Sequence, residues 1–571
     1  LADRCDELQL PEQAQITRDW FVARDPHRQY LFLVPATNPT GPDSDASTIV
    51  RQWHNKFMEY RRNQAANLWD LAREQLDQGR ATEAYQLVHE VLREDPEHAD
   101  ARRVLGYRRV GERWSQTRES VRPKFGRTTH PQFGWRRNQY WRIDSPHFRV
   151  TTSLSGAAGM ELAKTLEELH TVWRQLFFRY WSTREELTEW MRGRESFSES
   201  LRRHEVILFR DRDEYIQQLV RYEPQIAISM GYYAKRRKTS FFYAGEQTLG
   251  ATWFHEGTHQ LFQEYGNAVA DPGERWNFWV VEGIALYMES LVRHPGYYAV
   301  GGFDADRLQY ARRRRYSGEF YMPAAELFRL GRESLQQHPD IRPIYTQAAG
   351  FTHFLMDGEQ GRFRDSLVNY LTLVYLGRDT PASLQQMGSP PPEELDGRYP
   401  DFLAVDDQKL RGLDSLRILR NLSLGRTTVT DEGLAVLGDQ DLQHLEWLDL
   451  SFTRTTDAGL AHAAAAKNLK QLGLRDTQVS DRGLGIVRHF EQLEELDLSG
   501  TQITDEGLAC LEGLPRLKLL WLADCKVTDG ALPRLLRLKN LEQLDLTNTQ
   551  VSAEAWRTLQ QELPRLQDRN Q

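Results

Sequence analysis

A chain of 571 residues is long enough for three or four domains, and with 40% hydrophobic and 27% charged residues each can bury a core. A net charge of −8 excludes a protein built to neutralise nucleic-acid phosphates, and no apolar run approaches the ~20 residues of a membrane-spanning helix. Three cysteines, Cys5, Cys510 and Cys525, are too few for a disulfide framework and lack zinc-finger spacing. The numbering opens at Leu1, with no initiator Met, so one expectation is export with a leader removed; the compartment is otherwise open.

Residues 1–55 are mixed. The run YLFLV at 30–34 is expected to form a short buried strand, and 35–47, rich in Pro, Asn, Asp, Gly and Ser, a loop. From 56 to 125 the pattern is helical. Ala65, Leu68, Leu71, Ala72 and Leu76 recur at helical spacing, as do Ala81, Ala84, Leu87, Val88, Val91 and Leu92, with Gly79 between the two sets. A third helix starts near Ala99, and the segment resembles one tetratricopeptide-like unit. Between 140 and 400, strands expected at 148–152 and 205–210 alternate with long helices such as 157–181, which predicts an α+β domain.

Within that domain, residues 252–262 read TWFHEGTHQLF and contain H-E-x-x-H. His255 and His259, four apart on a helix, share a face, so both imidazoles can reach one metal ion. Glu256 points aside, where it can accept a proton from water. Gly257 weakens the helix and is expected to leave room close to the site. A catalytic metal needs a third ligand and an open position. Glu282, in WVVEGIALYME at 279–289, follows His259 by 23 residues in an apolar helical stretch, where a carboxylate is costly unless paired or metal-bound. A helix returning antiparallel to the first would set it beside the imidazoles.

The block HEGTHQLF…WVVEGIALYME resembles the gluzincin zinc metallopeptidases, and among them a bacterial family of peptidase-like proteins that join it to helical or repeat modules. The resemblance runs over about 140–390 and is sharpest over 230–360. It implies a zincin fold, Zn2+ as cofactor, His255, His259 and Glu282 as ligands, Glu256 as general base and a peptide or protein as substrate. Two further positions fit it. Glu289, seven residues after Glu282, could fix the tautomer of a ligand imidazole; the alternative is a surface acid. Tyr345, 63 residues after Glu282, could stabilise an oxyanion; Tyr287 is a weaker rival, and His353 reads as a helix histidine. A strand is expected at 238–243, and the resemblance implies a sheet edge next to the metal helix where a substrate could pair, with its aromatic residues in the core as the alternative. Met230-Gly231-Tyr232-Tyr233-Ala234-Lys235 departs from the aminopeptidase Gly-x-Met-Glu-Asn segment, so an aminopeptidase is not supported.

Arg312-Arg313-Arg314-Arg315 reads as a solvated helix face, with a dock for acidic groups as the sharper alternative. From 410 to 571 the chain is repetitive. Leucine triads such as Leu445/Leu448/Leu450 and Leu469/Leu472/Leu474 recur every 24 residues after a first step of 26. Three residues after each triad stands Thr427, Thr453, Thr477, Thr501, Cys525 or Thr549. This is a leucine-rich-repeat solenoid with a strand-lined concave face able to hold a protein partner. The alternative to a zinc peptidase is a non-catalytic protein-binding scaffold in which zinc only stabilises the fold.

Overall fold

The computed structural model describes residues 1–571 except 36–40, 43–44, 112, 116–120, 195–202, 246–248, 413–418 and 568–571. The described residues fall into two compact units. One comprises Leu1–Gly301, Ala325–His338 and Leu355–Pro391; the other comprises Gly302–Ala324, Pro339–Phe354 and Pro392–Gln571.

In the first unit, helices Thr48–Asp77 and Ala81–Glu94 form a hairpin around Gly79, followed by Ala99–Val104. Their facing stripes, Ala65, Leu68, Ala72 and Leu76 against Ala84, Val88, Val91 and Leu92, are those the periodicity predicts; Leu71 is instead 40% exposed. The same cluster takes in Phe178, Leu187 and Trp190, so the helical region shares a core with the body rather than standing as a separate domain. The N-terminal strand is Arg28–Phe32, antiparallel to Tyr297–Gly301, which also pairs with Val292–His294. Part of the loop expected at 35–47 lies outside the described residues.

The main sheet has six strands in the order Pro123–Phe125, Trp141–Asp144, Phe148–Thr152, His204–Phe209, Thr239–Tyr243, Tyr232–Ala234. The third to fifth run parallel, and the others pair antiparallel. The 238–243 strand is therefore internal, not the edge. Ser240, Phe241, Phe242 and Tyr243 are all buried, a run without alternation that suits a strand covered on both faces. The edge is Tyr232–Ala234. The helix expected over 157–181 begins at Gly156, capped by Ser155, and ends at Leu176; Phe177 leaves helical geometry before the short turn Phe178–Trp181.

The second unit is built on six parallel three-residue strands, Asn421–Ser423, Trp447–Asp449, Gln471–Gly473, Glu495–Asp497, Leu519–Trp521 and Gln543–Asp545. Their central leucines, from Leu422 to Leu544, stand in register and are buried. The threonines three places after each triad donate Oγ1 to the carbonyl of the triad's last leucine, as at Thr453–Leu450 (2.6 Å) and Thr477–Leu474 (2.7 Å). Cys525 instead donates Sγ to Leu498 O of the preceding repeat at 3.1 Å.

The T-D-x-G motif that follows joins neighbours. Asp431 accepts from the amide and hydroxyl of Thr456 (2.9 and 2.6 Å), and Asp457 does the same with Ser480 (2.8 and 2.6 Å). The motif's glycine makes room for the incoming carboxylate. A Cβ on Gly459 would stand 2.1 Å from Asp431 Oδ1, and one on Gly483 2.5 Å from Asp457 Oδ1.

The boundary at 400 shifts, because Gly302–Ala324 belongs to the repeat unit. Phe303 enters the leucine core, and Tyr310, on helix Asp306–Ser317, stacks on Trp447 at 5.7 Å. The arginine run is not a solvated face. Arg312 is fully buried and donates to the carbonyls of Leu403 (2.8 Å), Phe303 (3.0 Å) and Ser423 (3.2 Å) and to Gln309 Oε1 (2.9 Å). Burial pulls its pKa down to about 10, which still leaves it charged at neutral pH. Arg313 lies over Trp447, Arg314 donates to Thr346, and Arg315 lies over Tyr321. Replacing Arg312 by Met takes the side-chain donor from Leu403 O and Ser423 O, while Phe303 O keeps Gln309 Nε2 and Gln309 Oε1 keeps the Ser423 amide, and should destabilise this unit by about 3 kcal/mol. Urea unfolding followed by Trp fluorescence measures this, and an unchanged midpoint would refute the anchoring role.

Candidate metal centre

The histidine helix, Leu249–Glu264, is fixed by two opposite demands. On one side Gly257 meets helix Gly156–Leu176 so closely that a Cβ would stand 2.6 Å from Leu169 Cδ2. The room this glycine makes is therefore for helix packing, not for the site. On the sheet side the buried Gln260 accepts from Ser240 Oγ (2.8 Å) and donates to Glu205 O (3.1 Å), tying the helix to two neighbouring strands. Phe262 packs edge-on to Trp173 at 5.2 Å. With those faces committed, His255, Glu256 and His259 lie half-buried on the remaining one.

Helix Phe278–Met288 supplies the carboxylate. It starts after Asn277, whose left-handed φ of 58° is held by its side chain on Asp379 (2.8 Å) and Thr380 O (2.9 Å). His255 Nε2 and His259 Nε2 are 3.2 Å apart, and each is 3.7 Å from Glu282 Oε2. Ligand atoms ~2.0–2.1 Å from a tetrahedral ion stand roughly 3.3 Å apart, so two imidazole nitrogens and a carboxylate oxygen at these separations fit zinc. Burial alone would push the Glu282 carboxyl up, but His259, His255 and Arg332 outweigh it and hold the pKa near about 2. Burial likewise opposes protonation of His255, yet Glu289, with Glu256 and Glu282, raises its pKa to about 9.

Glu289 accepts from His255 Nδ1 at 2.8 Å, so the proton that a metal ion would displace from this imidazole is the one on Nε2, which faces Glu282. It is not a bare surface acid. Glu256 Oε2 accepts the amide of Tyr233 on the edge strand at 2.8 Å. Gly231 allows that approach, since a Cβ there would stand 3.2 Å from Glu256 Cγ and 2.6 Å from Thr252 Cγ2. Neither Gly231 nor the Tyr233 amide was legible in sequence, because an amide donor leaves no residue-type signal. Tyr287 is fully buried and bonded to Asp357 (2.9 Å) and Gln29 (2.9 Å), which removes it as an oxyanion donor. Tyr345 lies half-buried on helix Ile341–Asp357, in the portion belonging to the second unit, and its oxyanion role stays an expectation; His353, on the same portion, is fully buried.

A second trio, His147, Glu167 and His170, gathers in the first unit. Its imidazoles stack face to face, with centroids 3.8 Å apart and planes at 19°, so their lone pairs do not converge on one point. Glu167 already accepts from His147 Nδ1 (2.6 Å), His147 N (2.7 Å) and Ser145 Oγ (2.6 Å). A concavity of about 490 Å3 lies elsewhere again, on the strand-lined face of the repeats, walled by Trp447, Phe452, Trp521, Arg313, Asp449 and Asp497.

A family model described as "Protein of unknown function (DUF1570)" matches residues 250–373, and a "Leucine Rich repeat" model matches 492–511. No curated protein matches the chain. Among solved structures, an internalin from Listeria monocytogenes is similar at 25% identity over 26% of this chain and 41% of its own, with a TM-score of 0.23. A leucine-rich-repeat protein from Leptospira interrogans is 21% identical over 27% of this chain and 37% of its own, with a TM-score of 0.21. The chain thus spans less than half the length of either.

Replacing Glu289 by Gln removes the charge that fixes His255 and should weaken zinc binding by about tenfold to a hundredfold in competition with a chromophoric chelator. Undiminished affinity would return Glu289 to a structural ion pair.

Proposed function

We propose that the chain is a zinc-dependent peptidase whose repeats engage a protein substrate or partner. One observation carries this reading: His255 Nε2, His259 Nε2 and Glu282 Oε2 converge while the adjacent Glu256 stays out of the trio, its orientation set by the Tyr233 amide. His255, His259 and Glu282 would hold the ion, three protein ligands rather than the four usual in a structural site. Bound there, zinc would lower the pKa of water toward ~7 and polarise an amide carbonyl. Glu256 has one oxygen occupied by the Tyr233 amide and the other available to take a proton and deliver it to the leaving amine. Glu289 keeps the His255 proton on Nδ1 throughout.

The strand-lined face of the repeats suits a peptide segment. Trp447, Phe452 and Trp521 offer flat apolar contact, with Arg313, Asp449 and Asp497 among them for polar anchoring. Family likeness adds no chemistry here; the donor geometry and the intact Glu256 support the peptidase over a scaffold.

Glu256→Gln should retain one zinc per chain and lose turnover by at least about a thousandfold, assayed by metal analysis and mass spectrometry of a peptide library. His259→Ala should lose the zinc. Stoichiometric zinc with no cleaved peptide in the wild type would favour the binding scaffold, and zinc retained without His259 would move the site elsewhere.

A further inference from the structure

Two cations beside the donor trio have no part in the reading above. Lys235 directly follows the edge strand and stands two residues beyond Tyr233, whose amide holds Glu256. Arg332 opens the short helix Arg332–Gln336 and lays its guanidinium over the ring of Phe278, 4.5 Å from the centroid. Phe278 precedes Glu282 by four residues on the same helix face, and the charges of both Arg332 and Lys235 act on the Glu282 carboxylate.

Both cations also reach one loop. Lys235 Nζ pairs with Asp271 Oδ1 at 3.3 Å, and Arg332 Nη2 donates to Pro272 O at 3.2 Å. Burial first, and the neighbouring charge of Arg332 second, pull the Lys235 ammonium below its ordinary pKa, as expected of two like charges drawn together.

These cations are only loosely neutralised. Asp271 and Glu274 are 57% and 59% exposed, and Arg332 Nε is buried without a hydrogen bond, 3.7 Å from Glu274. Ion pairs with such exposed acids contribute ~0–1 kcal/mol, so an incoming anion can displace them at little cost. Two cations that share one loop beside the trio suit the carboxylate that ends a peptide, which follows the scissile carbonyl by one residue of chain (~3.5 Å).

We propose that Lys235 and Arg332 receive the free C-terminal carboxylate of a peptide, making the enzyme one that releases the last residue from carboxyl ends. This rests on the peptidase reading. It adds a specificity site that the H-E-x-x-H motif does not encode.

The test uses the full-length, zinc-loaded Glu256→Gln protein and two N-acetylated peptides identical except for a C-terminal acid or amide. Calorimetry should show the acid binding about tenfold or more tighter. Lys235→Met and Arg332→Met should each reduce that preference and together abolish it, with zinc stoichiometry unchanged. Equal affinity for acid and amide overturns the proposal. A preference untouched by Lys235→Met, the variant with less structural burden, also overturns it, because the two cations would then not act as one site; a preference untouched by the double variant assigns the carboxylate to zinc itself. With active protein, loss of the last residue from the acid alone supports it. Internal cleavage of both peptides overturns the carboxylate site but keeps the peptidase; a binding preference without cleavage keeps the carboxylate site and removes the peptidase.

Discussion

The geometry of this protein depends on how one helix is pinned. Leu249–Glu264 cannot rotate about its axis without driving Gly257 away from Leu169 or breaking the Gln260 bonds to Ser240 and Glu205. Those contacts leave a single face open, and on it stand His255, Glu256 and His259. A convergence of two imidazoles and a carboxylate to within 4.8 Å would not survive a modest turn of the helix, since each residue of rotation sweeps ~100°. The catalytic reading is thus a consequence of packing on the two faces that take no part in it.

The trio was legible in sequence because its spacing obeys local rules. An i, i+4 pair shares a helix face wherever the helix lies, and a glutamate in WVVEGIALYM needs a partner in any fold. What could not be read were contacts made through backbone or across long separations. The Tyr233 amide on Glu256 spans 23 residues, and Arg332 on Phe278 spans four intervening elements. Gly257 suggests space for the site because sequence shows that a small residue is present, not which neighbour requires it, and that neighbour is Leu169. Resemblance implies an edge for the 238–243 strand, whereas its unalternating apolar run carries the signal of the internal strand that the structure shows.

The repeats show the same division. Leucine period and threonine ladder are short-range regularities, and the register Leu422 through Leu544 follows them. The role of the aspartate in T-D-x-G was hidden, because its partner lies 23 to 25 residues on, in the next copy of the motif. Arg312 is the sharpest case. Four consecutive arginines suggest solvent, yet each meets a different partner, and the first is buried against carbonyls from three segments. A run of identical residues on a helix points in four directions at once.

The aspartate-to-hydroxyl links have a consequence for how the solenoid comes apart. Each coil lends a carboxylate to the coil after it and borrows one from the coil before, so the seam is directional, like the teeth of a zip. Detaching the last coil idles one carboxylate and leaves every earlier pairing whole. Detaching the first takes from its successor the carboxylate that holds the amide and hydroxyl of the helix-capping Thr or Ser, and the two ends of the stack are therefore unequal: erosion from the C-terminal side is the gentler route.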